Sequence, residues 1–352
     1  MNSLAYNKRL NQIALTLLNE NLNYSDGTQA LDEFADLCSQ LTDINPSPTF
    51  QAYSGDIELA QGVAINPQAA AQCVKDYPRS IQFIRGTFTA ITQKLAEKKE
   101  PLNVLYAGCG PYATQLLPLL TLLPSDRFNI TLLDVHPESL LSAQHLISVF
   151  GLEHFNIHTV CEDACEYQHD VLLDIVIAEV MQKALEQEPQ VMVTANFAHQ
   201  MQSNGSFVPQ SIQVDLYLAN VQQEHDQVQG LNPKQLKALA INEDRIHIGS
   251  VFELNIKTIS NEISKRRVID VPEIDYLQFD TQKAPIKMPV SLPDVVLMTR
   301  IQVFDQHWLE DYETDLCLPK TIIELSELNA DQRIDVKYQL GSYPYFMFDL
   351  LP

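Results

Sequence analysis

Apolar residues near the start of the chain recur at the spacing of an α-helix. The residues at this spacing, as expected for a helix with one buried side, are Leu4, Leu10, Ile13, Ala14, Leu17 and Leu18. The first 65 residues therefore read as helices, with turns expected at 24–27 and 45–48, where Gly or Pro and small polar residues cluster. A second helical stretch is expected over 67–99.

From residue 102 onward, short apolar runs alternate with helical patterns. The runs predict strands at 102–106, 129–134, 156–160 and 172–178. One helical pattern begins near Tyr112, between the first two strands, and another covers 137–150. Such alternation is typical of a parallel sheet with helices on both faces.

After Pro209 the long helices stop and strand-like segments follow one another, which predicts an antiparallel β sandwich or barrel with a helical insertion at 232–242. The fold class is thus α/β, with an N-terminal helical region (1–65), a Rossmann-like domain (66–209) and a β-rich domain (210–352). The β-rich domain is expected to hold strands at 211–221, 250–259, 295–304, 309–318, 336–340 and 345–350.

Composition narrows the choice of partners. The 352 residues include 45 acidic and 23 basic side chains, a net charge of −22. Such a surface repels nucleic-acid phosphates and attracts cationic molecules. The sequence contains no long apolar run for a membrane span and no signal-peptide pattern, so we expect a cytoplasmic protein. The six scattered cysteines are expected to be reduced packing residues, without a metal.

Two of the 11 glycines, Gly108 and Gly110, follow the first predicted strand of the alternating region. A glycine turn at this point lets the backbone pass close to a ligand. Asp134 ends the next strand, where an acidic side chain can accept both hydroxyls of a ribose. The motif fits both the dinucleotide fingerprint GxGxxA and the first part of the glycine loop of S-adenosylmethionine enzymes. A purely structural turn is the third possibility.

Two more acidic positions follow later strands. Asp163 comes after the third strand, where an acidic residue in class I methyltransferases reaches the adenine amino group, although it also fits a helix N-cap. Glu179 comes after the fourth strand, at the sheet edge where open α/β folds bind ligands. These positions favour S-adenosylmethionine over a dinucleotide.

Glu179 is followed by Glu188 nine residues later in a loop. If the loop folds back, both carboxylates enter one pocket, where like charges repel unless a cation lies between them. A guanidinium suits this place because its planar fork matches carboxylates bidentately.

On these residues the sequence resembles the protein arginine methyltransferases, from about Lys75 to Leu218. That family carries a loop with two glutamates nine residues apart, matched here by Ala178-Glu179-Val180-Met181 and Glu188, with Ala178 and Val180 replacing the family's Ser and Trp. Lys75-Asp76-Tyr77-Pro78-Arg79-Ser80 and Asn204-Gly205-Ser206-Phe207-Val208-Pro209 are similar to two further family segments.

The resemblance implies transfer of a methyl group from S-adenosylmethionine to a guanidino nitrogen of a cationic peptide, protein or small molecule. It implies a donor site formed by Arg79 on the carboxylate, Gly108 and Gly110 at the methionine part, Asp134 on the ribose and Asp163 at the adenine. Glu179 and Glu188 would clamp the acceptor. His307, before the single Trp, is similar to a histidine of the family's active-site loop. The family usually forms dimers through an arm of its β domain, for which 232–242 is the available stretch.

The chain departs from the family at Tyr106 and Tyr112, where an acidic residue and a third glycine are usual. Three alternative functions therefore stay open. A class I methyltransferase acting on an O, N or C atom of a natural product or modified peptide fits the same donor site. An NAD-dependent oxidoreductase is supported only by the GxGxxA match. A non-catalytic relative of the family would use the same fold as a binding platform.

Overall fold

The structure, a computed structural model, describes residues 3–46, 55–239, 245–271, 293–322 and 332–351. Its helices are α1 (Ser3–Leu18), α2 (Tyr24–Thr42), α3 (Pro67–Gln72), α4 (Tyr77–Glu97), α5 (Pro137–Val149), α6 (Gln190–Ala198), α7 (Val221–Val228), α8 (Pro233–Ala238) and α9 (Ile259–Glu262). Its strands are β1 (Ile57–Leu59), β2 (Gly62–Ala64), β3 (Leu102–Ala107), β4 (Phe128–Asp134), β5 (Asn156–Cys161), β6 (Leu173–Ala178), β7 (Met201–Val208), β8 (Ser211–Ala219), β9 (Ile246–Leu254), β10 (Arg266–Asp270), β11 (Asp294–Phe304), β12 (His307–Leu309), β13 (Lys320–Thr321), β14 (Arg333–Gln339) and β15 (Tyr345–Leu351).

The two N-terminal helices form as predicted, and α1 buries Leu10, Ile13, Ala14 and Leu17. Leu4 is exposed instead, because it lies on the opposite side of α1 from Ile13. The turn expected at 24–27 is instead the first turn of α2. Asn23 caps this helix by accepting a hydrogen bond from the backbone N–H of Asp26, and such a cap provides the start signal that small polar residues also give to a turn. Of the turn expected at 45–48, residues 47 and 48 lie outside the described ranges.

A five-stranded parallel sheet in the order β5-β4-β3-β6-β7 forms the centre of the molecule. Strands β3 and β6 are almost wholly buried, which explains their continuous apolar runs. Ala107 pairs with Leu133 of β4 on one side and with Ala178 of β6 on the other. The residues that follow these three strands therefore share one sheet edge, as the sequence predicts.

The prediction of a helix that begins near Tyr112 is wrong, since no α-helix forms in the described stretch between β3 and β4. Residues 111–116 form turns, and a 3-10 helix covers Leu117–Leu122. Ala113 adopts a left-handed backbone conformation (φ 42°), which interrupts a right-handed helix at the point where one would start. The leucine-rich segment is buried all the same, because α1 packs on it and the Asn11 amide donates to the carbonyl of Thr121 (3.2 Å).

The C-terminal half is antiparallel, as predicted. One sheet has the order β12-β11-β8-β9 with β13 also on β11, and another has the order β10-β14-β15. The strand expected at 309–318 is wrong, since β12 ends at Leu309 and a left-handed Tyr312 (φ 63°) turns the chain into a 3-10 helix at Asp315–Cys317. The strand expected at 250–259 begins and ends earlier, as β9. Helix α8 occupies part of 232–242, of which residues 240–242 lie outside the described ranges.

One continuous apolar core joins the N-terminal helices, one face of the parallel sheet and the antiparallel strands. The domain boundaries at 65 and 209 remain predictions. Across the described ranges, no helix is long and apolar enough to cross a membrane, and no group of three or more His, Cys, Asp or Glu side chains is placed to hold a metal ion.

Candidate functional site

A cavity with about 1020 Å³ of empty space, part of it open to solvent, lies at the carboxyl ends of β3, β4 and β6. Open α/β sheets bind ligands at this edge. Seven residues predicted from the sequence line it, which are Arg79, Gly108, Gly110, Asp134, Asp163, Glu179 and Glu188.

The glycine turn forms part of the cavity wall. Gly108 and Gly110 both have φ 62°, where a side chain is strained. A Cβ on Gly108 would also lie 2.2 Å from Cγ1 of Val180. Because no α-helix follows Gly110 before β4 begins, the turn lacks the helix N-terminus that holds a dinucleotide pyrophosphate.

Asp134 is buried and holds the turn together. Its Oδ2 accepts the backbone N–H of Gly110 (2.9 Å), and its Oδ1 accepts that of His136 (2.9 Å). Each carboxylate oxygen has a second lone pair, so ribose hydroxyls can still bind here.

His136 also lines the cavity, and sequence reasoning missed it. Its Nδ1 lies 3.3 Å from Oδ1 of Asp134, and its Nε2 lies 3.3 Å from the carbonyl oxygen of Gly55. Burial lowers the pKa of His136, but the hydrogen bond and charge of Asp134 outweigh burial and raise it. The only sequence signal for a site role of His136 was its position two residues after the end of β4, at the sheet edge where ligands bind.

Asp163 closes a turn after β5, since its Oδ1 accepts the backbone N–H of Cys165 (2.8 Å). The helix N-cap considered for this residue is absent, because no helix lies in the described residues between β5 and β6 and Asp163 caps only this turn. Asp163 also lines the cavity, so the adenine contact stays a prediction beside it.

Arg79 and Glu179 form a buried ion pair. Nε of Arg79 donates to Oε2 of Glu179 (2.8 Å), and Nη2 donates to the same oxygen. Oε1 of Glu179 has no hydrogen-bond partner although it is fully buried. Burial raises the pKa of Glu179 to about 7, against the opposing charge of Arg79. A buried acceptor without a donor is costly unless a ligand supplies one.

Glu188 is buried in the same cavity, so the loop folds back as the spacing predicted. Burial, followed by the charge of Glu179, raises the pKa of Glu188 to about 7. Two carboxylates thus face a single guanidinium, that of Arg79, within one partly desolvated space. A second cation entering here would ionise Glu188 and relieve the repulsion.

Glu188→Gln is expected to stabilise the free protein above neutral pH. The raised pKa means that the stability contributed by Glu188 is full below about pH 4.3, the value for an unfolded chain, and is lost as pH rises through about 7. The neutral amide of the variant does not ionise and escapes this loss. We expect equal melting temperatures near pH 4.5 and an advantage of roughly 2–5 °C for the variant at pH 8 by calorimetry. An advantage independent of pH would contradict this electrostatic origin.

The loop at residues 179–188, here termed the glutamate loop, has an unusual backbone. Ala184, Leu185 and Gln187 all have positive φ (56°, 54° and 64°) although none is glycine. Such conformations persist only where surrounding structure imposes them, and they concentrate at functional sites.

The antiparallel strands supply that surrounding structure. The hydroxyl of Thr299 on β11 accepts the N–H of Ala184 (3.0 Å), and the hydroxyl of Tyr338 on β14 donates to the carbonyl of Leu185 (2.5 Å). The remaining anchors are Pro344, whose carbonyl accepts the N–H of Gln187, and Lys320, which pairs with Glu186. The β-rich half therefore sets the position of Glu188.

A hairpin formed by β1 and β2 covers part of the cavity, and sequence reasoning had treated its residues as helical. Leu59 and Val63 line the cavity, and the N–H of Val63 donates to the carbonyl of Gln187 (2.7 Å). Gly62 (φ 147°) sits against the glutamate loop, since a Cβ there would lie 2.7 Å from the nitrogen of Pro189. The Gln61-Gly62 dipeptide was the available turn signal.

His307 does not join this group and is not a lining residue of the cavity. The short β11–β12 hairpin turns it against α4, where Nε2 lies 3.0 Å from the hydroxyl of Thr89 and Nδ1 lies 3.3 Å from Oε1 of Gln82. Burial, and next the charge of Arg85, lower the pKa of His307. The structure thus gives His307 a packing position, and its predicted catalytic role is not carried further.

No protein-family model matches the chain, and no curated protein matches it. Solved structures that are similar to it include the PRMT1 enzyme–prozyme heterotetrameric complex of Trypanosoma brucei with AdoHcy, at 12% identity and a TM-score of 0.46, over 80% of this chain and 96% of that one. Protein arginine methyltransferase 10 of Arabidopsis thaliana, in an open conformation, is similar at 12% identity and a TM-score of 0.46, over 72% of this chain and 84% of that one.

Proposed function

We propose that this chain is an S-adenosylmethionine-dependent methyltransferase that acts on a guanidino group. The observation that carries the proposal is the arrangement of Glu179, whose Oε2 is held by Arg79 while its buried Oε1 has no donor, in one cavity with a second buried glutamate, Glu188. This arrangement suits a ligand that brings N–H donors and positive charge.

The donor half of the cavity fits a sulfonium nucleoside. Gly108 and Gly110 line the cavity after β3, and Asp134 offers carboxylate oxygens at the sheet edge. Arg79 would hold the donor's carboxylate by its remaining N–H groups, since Nε and Nη2 already bind Glu179. Asp163 would take the adenine amino group.

The acceptor half fits a guanidinium better than an ammonium. Two carboxylates provide several lone pairs at different angles, and a planar fork with five N–H groups can satisfy them together, whereas an ammonium has three. A cationic peptide or protein is the partner class we propose, in keeping with the net charge of −22. A cytoplasmic location and a homodimer through 232–242 remain predictions.

The bound donor supplies an electrophilic methyl group on a positively charged sulfur. Glu179 and Glu188 would align the acceptor nitrogen with that methyl carbon and draw the guanidinium charge toward the other nitrogens, which returns lone-pair character to the attacking one. As the nitrogen–carbon bond forms, the sulfur–carbon bond breaks and its electron pair stays on sulfur. One proton leaves the acceptor nitrogen for solvent.

Transfer of a labelled methyl group tests the proposal. We expect label from S-adenosylmethionine to enter arginine-rich peptides or free arginine, and not lysine-rich peptides of equal charge or small phenols. Label in phenols or in another O, N or C acceptor would favour the wider methyltransferase alternative. Binding of a nicotinamide cofactor without binding of S-adenosylmethionine would overturn the proposal.

A further inference from the structure

A second buried oxygen in the cavity wall lacks a donor. Oε1 of Gln115 is fully buried without a hydrogen-bond partner, and Gln115 lines the cavity. The residue is 6% exposed, so water does not readily satisfy this oxygen. A buried amide oxygen in this state suits a ligand N–H.

The neighbours of Gln115 fix the orientation of its amide. Its Nε2 lies 3.5 Å from Oε2 of Glu179, and reversing the amide would place its oxygen against that carboxylate instead. Its backbone N–H also bonds the hydroxyl oxygen of Tyr106 at the end of β3. The amide oxygen is therefore held as an acceptor beside the Arg79–Glu179 pair.

This position suits the amino-acid end of the methyl donor. Under the proposed function, on which this step rests, Arg79 holds the donor's carboxylate. The donor's α-ammonium is attached to the same carbon as that carboxylate, so it must lie close to Arg79. Gln115 reaches that neighbourhood through its contact with Glu179, whereas Glu188 bonds Gln182 and lies under the β1–β2 hairpin.

We infer that Gln115 is a specificity-determining residue for the donor, and that its amide oxygen accepts a hydrogen bond from the donor's α-ammonium. Tyr106, near the end of β3, is a neutral phenol at neutral pH and carries no negative charge to bind an ammonium there. The amide oxygen of Gln115 supplies an acceptor in its place.

Calorimetric titration with two ligands tests this inference. The first is S-adenosylhomocysteine, and the second is its analogue with hydrogen in place of the α-ammonium. Wild-type protein is expected to bind the analogue at least about tenfold more weakly. Gln115→Met, which keeps length and removes the acceptor, is expected to bind S-adenosylhomocysteine about tenfold more weakly and the analogue as the wild type does. Gln12→Met, at an exposed position of α1, serves as control and is expected to change neither affinity.

Each outcome separates this inference from the proposed function. If wild-type protein binds neither ligand, the proposed function fails. If the wild-type protein binds both ligands equally, the α-ammonium makes no hydrogen bond that matters for affinity. The inference is then overturned without any variant. Equal weakening of both ligands by Gln115→Met would show a structural role. Weakened binding of an arginine peptide to protein saturated with S-adenosylhomocysteine, with donor binding unchanged, would assign Gln115 to the acceptor instead.

Discussion

Glu179→Gln is expected to lower kcat for methyl transfer by about a thousandfold, because it removes a charge from the clamp that aligns and polarises the acceptor. The substitution keeps the size of the side chain, and an amide oxygen can still accept from Nε of Arg79, as Oε2 does at 2.8 Å. We therefore expect the affinity for S-adenosylhomocysteine to change less than about tenfold. Single-turnover transfer of labelled methyl, with titration of the same preparation, measures both quantities.

Glu186→Gln is the matched control for this variant. Glu186 belongs to the glutamate loop but pairs with Lys320 and does not line the cavity, and a glutamine can still accept from that lysine. Activity of Glu186→Gln is expected to stay within about threefold of wild type. If Glu179→Gln keeps full activity, or if both variants lose activity equally, the carboxylate of Glu179 is not part of an acceptor clamp.

Asp134→Ala is expected to weaken the binding of S-adenosylhomocysteine about a hundredfold. The variant removes the acceptor for the ribose hydroxyls and also releases the N–H of Gly110 and of His136, both now held at 2.9 Å. Hydrogen bonds to a charged group each contribute about 1.5–3 kcal/mol, so the loss of both ribose contacts weakens binding by about 3 kcal/mol or more, and a hundredfold is the lower end of the expected effect. Calorimetric titration measures it directly.

Asp126→Ala provides the comparison, since Asp126 is an exposed acidic residue just before β4. Asp126→Ala is expected to leave the affinity for S-adenosylhomocysteine unchanged. This result would show that the weaker binding by Asp134→Ala is not caused by the change in net charge alone. Unchanged affinity in Asp134→Ala would remove the ribose contact from the account and with it the orientation proposed for the donor.

The sheet edge was predictable because its signals are local. Each of Gly108, Asp134 and Glu179 directly follows an apolar run, and the pairing of β3 with β4 and with β6 makes the three ends neighbours. Parallel pairing turns three separate sequence positions into one site without further information. His136 follows the same strand end and also lines the cavity, but it was missed because it belongs to no motif.

The missed features depend on contacts between distant parts of the chain. The left-handed Ala184 and Leu185 are held by Thr299 and Tyr338, more than 100 residues away, and no local propensity predicts such a backbone. The 3-10 helix at Leu117–Leu122 has an apolar pattern that an α-helix would share, and this pattern reveals neither the left-handed Ala113 before it nor its packing under α1. The contacts of His307 with α4 could not be predicted, because the direction of a short hairpin is set by its tertiary packing.

A crystal structure of the protein with S-adenosylhomocysteine tests the central claim most directly. The account predicts the ribose on Asp134, the donor's carboxylate on Arg79 and the sulfur facing the space between Glu179 and Glu188. A cavity that stays empty at millimolar ligand, or a bound ligand whose sulfur points away from both glutamates, would contradict it.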